Sequence, residues 1–142
     1  MITVIFYLFQ DQGFFQQLLA RIYEGGPFPM TLILLLFFLM IFFIIRSALK
    51  LRALPQSFRK SVSLVNQVAL LAVIIGLFFQ LIGLIQVFDA FESLGNLQPA
   101  LLAGGLKVTL LPPIFGGLTF IIGRMATFIL NWLRKEDPVT AA

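Results

Sequence analysis

A few polar groups interrupt the apolar segments of this chain, and they limit the chemistry open to it. Gln80 lies within GLFFQLIGLIQVF, and Thr109 and Thr119 flank a proline pair in VTLLPPIFGGLTF. An amide at membrane depth must face a partner or water, because leaving it unpaired in hydrocarbon costs several kcal/mol. Gln80 is therefore predicted to face a partner or water, and Thr109 and Thr119 are further polar side chains of these segments.

The proline pair adds backbone acceptors at the same place. Because proline has no N–H, Pro112 and Pro113 leave the carbonyls of Val108 and Thr109 without helical donors. Free acceptors at membrane depth occur only inside protein or along a wet cavity, so such a break suits an ion path. The alternative is a helix that starts near Leu111 with the prolines harmlessly in its first turn, which would leave the outer end of this span as a loop.

The composition excludes most other chemistry. Of 142 residues, 60% are hydrophobic and only 11% are charged, whereas soluble domains carry roughly 25% charge, so this is a membrane protein. The chain contains no cysteine and no histidine, which argues against disulfides, imidazole bases and zinc; we expect no cofactor and no metal. Asp89, Glu92 and Lys107 show no spacing typical of an active site, so we do not expect an enzyme.

Apolar segments predict an all-α membrane domain over residues 25–142. A bilayer crossing needs ~20 apolar residues, and the predicted spans are about 28–45, 63–88 and 101–123, the last with a possible later start at Leu106. An alternative register for the third span, 113–133, would bury Arg124 in the middle of the membrane at a cost of several kcal/mol. We therefore prefer the register that places Arg124 at the inner interface.

Charge predicts the orientation of the spans. The segment 46–60 contains five basic residues and no acidic residue, whereas the segment 89–105 contains two acidic residues and no basic residue. Because basic loops stay in the cytoplasm, 46–60 is predicted inside and 89–105 outside, with the N-terminus outside and the tail, 134–142, in the cytoplasm. The net charge of +4 thus orients the chain in a bacterial inner membrane and does not indicate nucleic-acid binding.

The N-terminal segment, residues 1–24, is predicted to form an amphipathic helix. Apolar residues recur at helical spacing among polar ones, namely Phe15, Leu18, Leu19 and Ile22. This pattern suits a helix lying in the membrane surface, and packing on a neighbouring subunit is the alternative. The first residues lack the basic start and the cleavage site of a secretion signal, so we expect them to be retained.

The second and third spans each carry a stripe of small and polar residues. On the second span the stripe is Asn66, Ala69, Val73, Gly76, Gln80, Gly83 and Val87, with Gln80 near the middle; on the third it is Gly105, Thr109, Pro112, Gly116, Thr119 and Gly123. Small residues at three- and four-residue steps let helices approach closely, which is one interpretation of both stripes. The other is that the stripes face a wet hollow.

Three segments resemble the MotA/TolQ/ExbB family of stator and proton-channel proteins. They are YEGGPFPMTLILLL, GLFFQLIGLIQVFDAF and LAGGLKVTLLPPIFGGLTFIIG, and the strongest single signal is the Gly76 and Gly83 pair followed by an outside loop and the third span. The resemblance implies a homopentamer whose second and third helices line a pore. It also implies a dimer of single-span partners, similar to ExbD, TolR or MotB, that supplies the titratable aspartate absent from these spans.

By the same resemblance, Gln80 stands where the family has a pore-facing threonine, and Pro112 and Pro113 replace a threonine pair. The predicted pore-lining residues are Gln80, Thr109, Pro112, Pro113, Thr119, Gly76, Gly83 and Gly116. Two departures from the family are Val108, where a glutamate is common, and the short segment between the first two spans. The predicted function is a channel-forming subunit of a proton- or sodium-driven motor; the alternative is an assembly or anchoring subunit that conducts no ions.

Overall fold

The described part of the chain is helical throughout. In a computed structural model, the structure describes Ile2 and residues 14–24, 26–95 and 98–134, and no strand occurs among them. The helices are α1, Phe14–Glu24; α2, Pro27–Leu49; α3, Pro55–Leu94; α4, Pro99–Thr109; and α5, Leu111–Leu133. About half of the N-terminal segment predicted to be amphipathic, namely Met1 and residues 3–13, and the tail beyond Arg134 lie outside the described residues.

Helix α2 is the first candidate span. Pro27 occupies its first turn, where the fixed φ and missing N–H of proline cost nothing, and Gly26 precedes it with a φ of 92° that favours glycine. The helix carries no charge before Arg46, in its last turn. Its buried apolar residues recur at three- and four-residue steps on one face, namely Met30, Ile33, Leu36 and Met40.

Helix α3 is much longer than the span predicted for it. It contains 40 residues and ends at Leu94, and the C-cap residue Gly95 that follows has a left-handed φ of 64°. At 1.5 Å per residue its length is roughly 60 Å, about twice the thickness of a bilayer's hydrocarbon core. Helical hydrogen bonding therefore continues beyond both ends of the predicted 63–88 segment.

The proline pair separates α4 from α5. Helix α5 begins at Leu111 and holds both prolines in its first turn, as one of the two alternatives predicted. The segment before it, however, is the helix α4 and not a loop, and a single turn residue, Leu110, joins the two. The prolines therefore interrupt the chain between α4 and α5 without disturbing α5 itself. A proline in the first turn of a helix withholds an N–H only from carbonyls that precede that helix.

The helices α2, α3 and α5 pack into one bundle. The contact between α3 and α5 is the most extensive, and α2 packs across both. The main core consists of Leu36 and Met40 from α2 and Val65, Val68, Ala69 and Ala72 from α3. A smaller core, built from Phe58, Val62 and Leu130, joins the start of α3 to the end of α5.

Charge separates along the axis of the bundle. We call one end the basic end: it includes the turn between α2 and α3, the last turn of α5 and the basic residues Arg46, Lys50, Arg52, Arg59, Lys60 and Arg134. The opposite end, which we call the acidic end, has the described acids Glu24, Asp89 and Glu92. The two ends of the bundle therefore differ in charge, as the sequence predicted.

The outer surface of the bundle is apolar. Large exposed side chains such as Phe38, Phe42, Leu81 and Phe128 are between half and two-thirds exposed, and within the described residues three helical segments are long and apolar enough to span a membrane. In water such a surface would drive aggregation, whereas lipid solvates it. In α1 the exposed Leu19 and Tyr23 provide apolar surface near the acidic end.

The last turn of α5 is held against α3 by a cation–π contact. The guanidinium carbon of Arg134 lies 4.5 Å from the ring centroid of Phe58, a side chain only 2% exposed. Because such contacts contribute about 0.5–2 kcal/mol, we expect Arg134→Gln to lower the apparent unfolding temperature by roughly 2–6 °C in a thermal melt followed by circular dichroism. Arg52→Gln, in the exposed turn, is the charge-matched control, and equal shifts in both variants would contradict the contact's role.

Candidate functional site

The two predicted stripes face each other within one chain. A Cβ added at Gly76 would lie 2.7 Å from the carbonyl oxygen of Pro112, and one added at Gly83 would lie 3.0 Å from Cγ2 of Thr109. Further along the same seam, a Cβ at Gly105 would meet the side chain of Val87. We call this contact the α3–α5 seam; it includes the adjoining contact between α3 and α4.

The closest approach of the two helices is at Gly116. A Cβ there would lie 2.4 Å from the carbonyl oxygen of Ala72 and 3.3 Å from the Cα of Val73, both backbone atoms. Backbone cannot move aside as a flexible side chain can, so only glycine fits this position. Gly123 is similar, since its missing Cβ leaves room for Met40 and Ala69.

The predicted threonines lie inside this seam with their hydroxyls satisfied. Thr109 is 7% exposed and Thr119 is 3% exposed. The Thr109 hydroxyl donates to the carbonyl of Leu106 at 2.8 Å, and the Thr119 hydroxyl donates to the carbonyl of Phe115 at 2.9 Å. Each threonine hydroxyl therefore bonds a carbonyl of its own helix and is satisfied within a single chain.

The seam brings together most of the predicted pore-lining residues, but as a packed interface. Gly76, Gly116 and Pro112 are buried there, while Gly83 and Pro113 are half-buried. Small residues that let two helices touch account for this arrangement, as the packing interpretation of the stripes predicted. Gln80 is the exception among the predicted residues.

Gln80 lies at the edge of the seam without a partner. Its side chain is half-buried, and no hydrogen bond to its amide is found within the described residues. The sequence placed Gln80 near the middle of the second span, but relative to α2 it lies near an end. The ring of Phe28, at the start of α2, is 5.7 Å from that of Phe79, so Gln80 is level with the beginning of α2.

Gln80 belongs to the flank of α3 that α2 leaves uncovered. Phe79 contacts α2 on one side, whereas Asn66 bonds Arg124 of α5 on the other. Residues seven apart share a helical face, so Asn66, Val73 and Gln80 form one row. We call this row, together with Pro113, Gly117 and Arg124 of α5, the uncovered flank.

A second source of polar atoms lies close to Gln80. Gly76, one turn before Gln80, contacts the backbone of Pro112 and Pro113, which places Gln80 near the depth of the helix break. The carbonyl of Thr109 would normally accept from the N–H of residue 113, or of residue 112 in a tighter turn, and proline offers neither. The amide of Gln80 and the break therefore concentrate polar groups at one depth.

A cleft of about 670 Å³ opens at the acidic end, on the side of α2. Its apolar walls include Phe28, Phe79 and Val108, and Gln86 contributes a polar group. The cleft reaches Thr109 and Pro112, because α2 begins at Pro27 and leaves the outer part of α3 and α4 uncovered. Gln80 does not line this cleft.

A polar cluster near the basic end was not singled out from the sequence. Arg124 donates from Nη1 to Oδ1 of Asn66 at 3.3 Å, and the hydroxyl of Thr127 donates to the same oxygen at 3.3 Å. Asn66 was recognised only as one member of a stripe. The sequence contains a signal for this cluster, namely three polar residues on two segments that are predicted to be neighbours. It does not show which residues of the two helices lie at the same level.

The described residues contain no group of three or more histidine, cysteine, aspartate or glutamate side chains that could hold a metal ion. The bundle is that of an all-helical protein with three segments able to span a membrane, which is consistent with a multi-pass membrane protein. In comparisons with protein-family models, curated proteins and solved structures, nothing matches this chain.

Proposed function

We propose that this chain is the channel-forming subunit of an ion-driven membrane motor. In this proposal the basic end faces the cytoplasm, because positively charged segments are retained there, and the acidic end faces outward. Several copies surround a hollow with their uncovered flanks, and ions pass between this chain and a partner in that hollow. The sequence resemblance to the MotA/TolQ/ExbB family is the basis for the class.

The unpaired amide of Gln80 is the observation that carries the proposal. An amide held away from water without a hydrogen bond costs several kcal/mol, and this half-buried amide, level with the start of α2, has no partner among the described residues. Water or a second protein must therefore satisfy it, as a polar hollow between copies would do. The break at Pro112 and Pro113 supports the same location, because residues 112 and 113 have no N–H to donate to the carbonyl of Thr109.

In this proposal a partner protein supplies the carboxylate that takes up the ion. The described acids, Glu24, Asp89 and Glu92, all lie at the acidic end, so the described spans offer no carboxylate to take up an ion. A motor driven by protons or sodium ions needs such a group. We propose that it belongs to a dimer of single-span proteins seated in the hollow, as the family resemblance implies, and that the homo-oligomer is a pentamer.

The energy for work would come from the ion gradient. Across about 100 mV each charge supplies ~2.3 kcal/mol before any concentration term. A partner carboxylate that is neutralised beside Gln80 would no longer be held there, and the partner could move on to the next copy. The wall of the hollow must then keep the same charge at every step, and an amide meets this requirement because it does not ionise near neutral pH.

The proposal is tested by oligomeric state and ion flux together. We expect native mass spectrometry of the purified protein to give several copies, five if the pentamer is right. In vesicles carrying a potential of about 100 mV, we expect proton or sodium uptake when the chain is reconstituted with a single-span protein that bears a membrane aspartate. Vesicles with either protein alone are the control. A single copy in every condition, or equal uptake with and without the partner, would contradict the proposal.

One observation favours a second candidate, a structural assembly or anchoring subunit. The glycines and threonines of the seam are used inside one chain, and the hydroxyls of Thr109 and Thr119 are already bonded. A subunit that only binds neighbouring proteins would need a stable bundle of this kind and no polar path for ions. It would oligomerise in the same experiment but show no uptake with any partner.

A further inference from the structure

The polar cluster at the inner part of the uncovered flank contains a positive charge, and no described residue near it carries a negative charge. Oδ1 of Asn66 accepts from both Arg124 and Thr127, each at 3.3 Å. Because that oxygen is occupied twice, the amide nitrogen of Asn66 is the group left to donate outward. The hydroxyl of Thr127 also donates to the carbonyl of Arg124 at 3.0 Å, which fixes the cluster to α5.

None of the described residues supplies a counter-charge for Arg124. Asn66 is a neutral acceptor, and the described acids, Glu24, Asp89 and Glu92, lie at the opposite end of the bundle. A cation at this depth is costly unless an anion pairs with it or its side chain reaches the interface. The guanidinium carbon of Arg124 also lies 6.0 Å from the ring centroid of Phe120, which gives the cation an apolar wall on one side.

A second cation lies toward the basic end on the same face of α3. Arg59 precedes Asn66 by one heptad and is exposed, and the exposed Ser63 lies between them. The distance along the axis from Arg59 to Asn66 is about 10 Å at 1.5 Å per residue, which long arginine side chains can share with a bound group. The cluster therefore offers several donors to a bound anion: two guanidinium groups, the amide nitrogen of Asn66 and the hydroxyl of Ser63.

We propose that Arg124, Asn66 and Arg59 bind the phosphate of an anionic phospholipid from the leaflet at the basic end. An arginine fork matches two phosphate oxygens, and basic pockets between helices at the cytoplasmic surface favour anionic headgroups. Beside the row that contains Asn66, and outside the uncovered flank, the exposed Leu70 and Leu77 of α3 provide an apolar surface along which acyl chains can lie. This inference does not rest on ion conduction, since it uses no step of ion transfer.

The test measures lipid retained by the purified protein. Native mass spectrometry after exchange into equal parts phosphatidylglycerol and phosphatidylcholine should show phosphatidylglycerol bound preferentially to the wild type. We expect Arg124→Gln to reduce that occupancy about tenfold and Arg124→Lys, which keeps the charge but loses the fork, to reduce it about threefold. Arg52→Gln removes the same charge from the exposed turn and should change occupancy by less than about twofold.

Further arms separate the sources of the anion. Arg59→Gln alters an exposed side chain, so the variant should fold, and we expect a loss of about threefold. Inorganic phosphate at high concentration should not displace the lipid; complete displacement would indicate a site for free phosphate and overturn the lipid assignment. Equal retention by the wild type and Arg124→Gln, with helical content preserved in both, would overturn the proposal. So would a loss in Arg52→Gln as large as that in Arg124→Gln.

Discussion

Replacing Gly116 with alanine is expected to destabilise the bundle strongly, whereas the same change at Gly117 is expected to do no harm. A methyl group at Gly116 would lie 2.4 Å from the carbonyl oxygen of Ala72, so α3 and α5 must separate to admit it. Overpacking of this kind costs about 1–3 kcal/mol, which corresponds to a fall of at least about 5 °C in the apparent unfolding temperature. At Gly117 no atom lies within 4 Å of the added carbon.

The neighbouring glycine makes an unusually direct control. Alanine favours a helix over glycine by up to about 1 kcal/mol, so Gly117→Ala should leave the unfolding temperature unchanged or raise it. Both variants change one hydrogen for one methyl in adjacent residues of α5. Thermal melts in the same detergent or lipid measure the difference, and equal stability of the two variants would mean that the α3–α5 seam is not packed as described.

Replacing Gln80 with leucine is expected to abolish most ion uptake by the reconstituted complex while leaving the bundle folded. Leucine has about the volume of glutamine but cannot bond water or a partner carboxylate. Leaving a hydrogen-bonding group unpaired away from water costs about 1–3 kcal/mol, so we expect uptake to fall about 5- to 150-fold. Uptake is measured as the rate of acidification, or of sodium entry, in vesicles under a fixed potential.

Gln67→Leu is the matched control for this prediction. Gln67 is an exposed glutamine of the same helix near the basic end, where its amide nitrogen lies 3.5 Å from the hydroxyl of Ser63. Its replacement should leave uptake within about twofold of the wild type, because the group is outside the proposed path. Undiminished uptake by Gln80→Leu would remove Gln80 from the path and would favour a seam that serves packing alone.

The long helices were predictable from the sequence because an uncharged apolar run such as Phe28 to Ile45 has few alternatives in a membrane. The residues at which these helices begin and end were not predictable in the same way. Helix α3 extends beyond 63–88 at both ends and α5 continues past Arg124 to Leu133, since backbone hydrogen bonding does not stop where hydrocarbon ends. Apolarity identifies the part of a helix in lipid, whereas caps and turns decide where the helix begins and ends.

The stripes show a different limit of the sequence. The spacing of Gly76, Gly83 and Gly116 predicted close helix approach, and the structure shows what approaches: each stripe packs against the other in the same chain. Spacing alone could not decide this, because small residues suit contact within one chain as well as contact between copies. The cluster of Arg124, Asn66 and Thr127 was missed for a related reason, since it depends on the register between two helices far apart in sequence.

The unequal lengths of α2 and α3 have a mechanical consequence. The stretch 80–94 of α3 rises past the start of α2 by roughly 20 Å at 1.5 Å per residue, and α4 runs beside it, with Gly105 against Val87. In the proposed oligomer, the paired helices α3 and α4 of each copy extend beyond the level at which α2 begins. A ring of these helix pairs would be stiff, and torque would pass through it from one copy to the next rather than through the lipid.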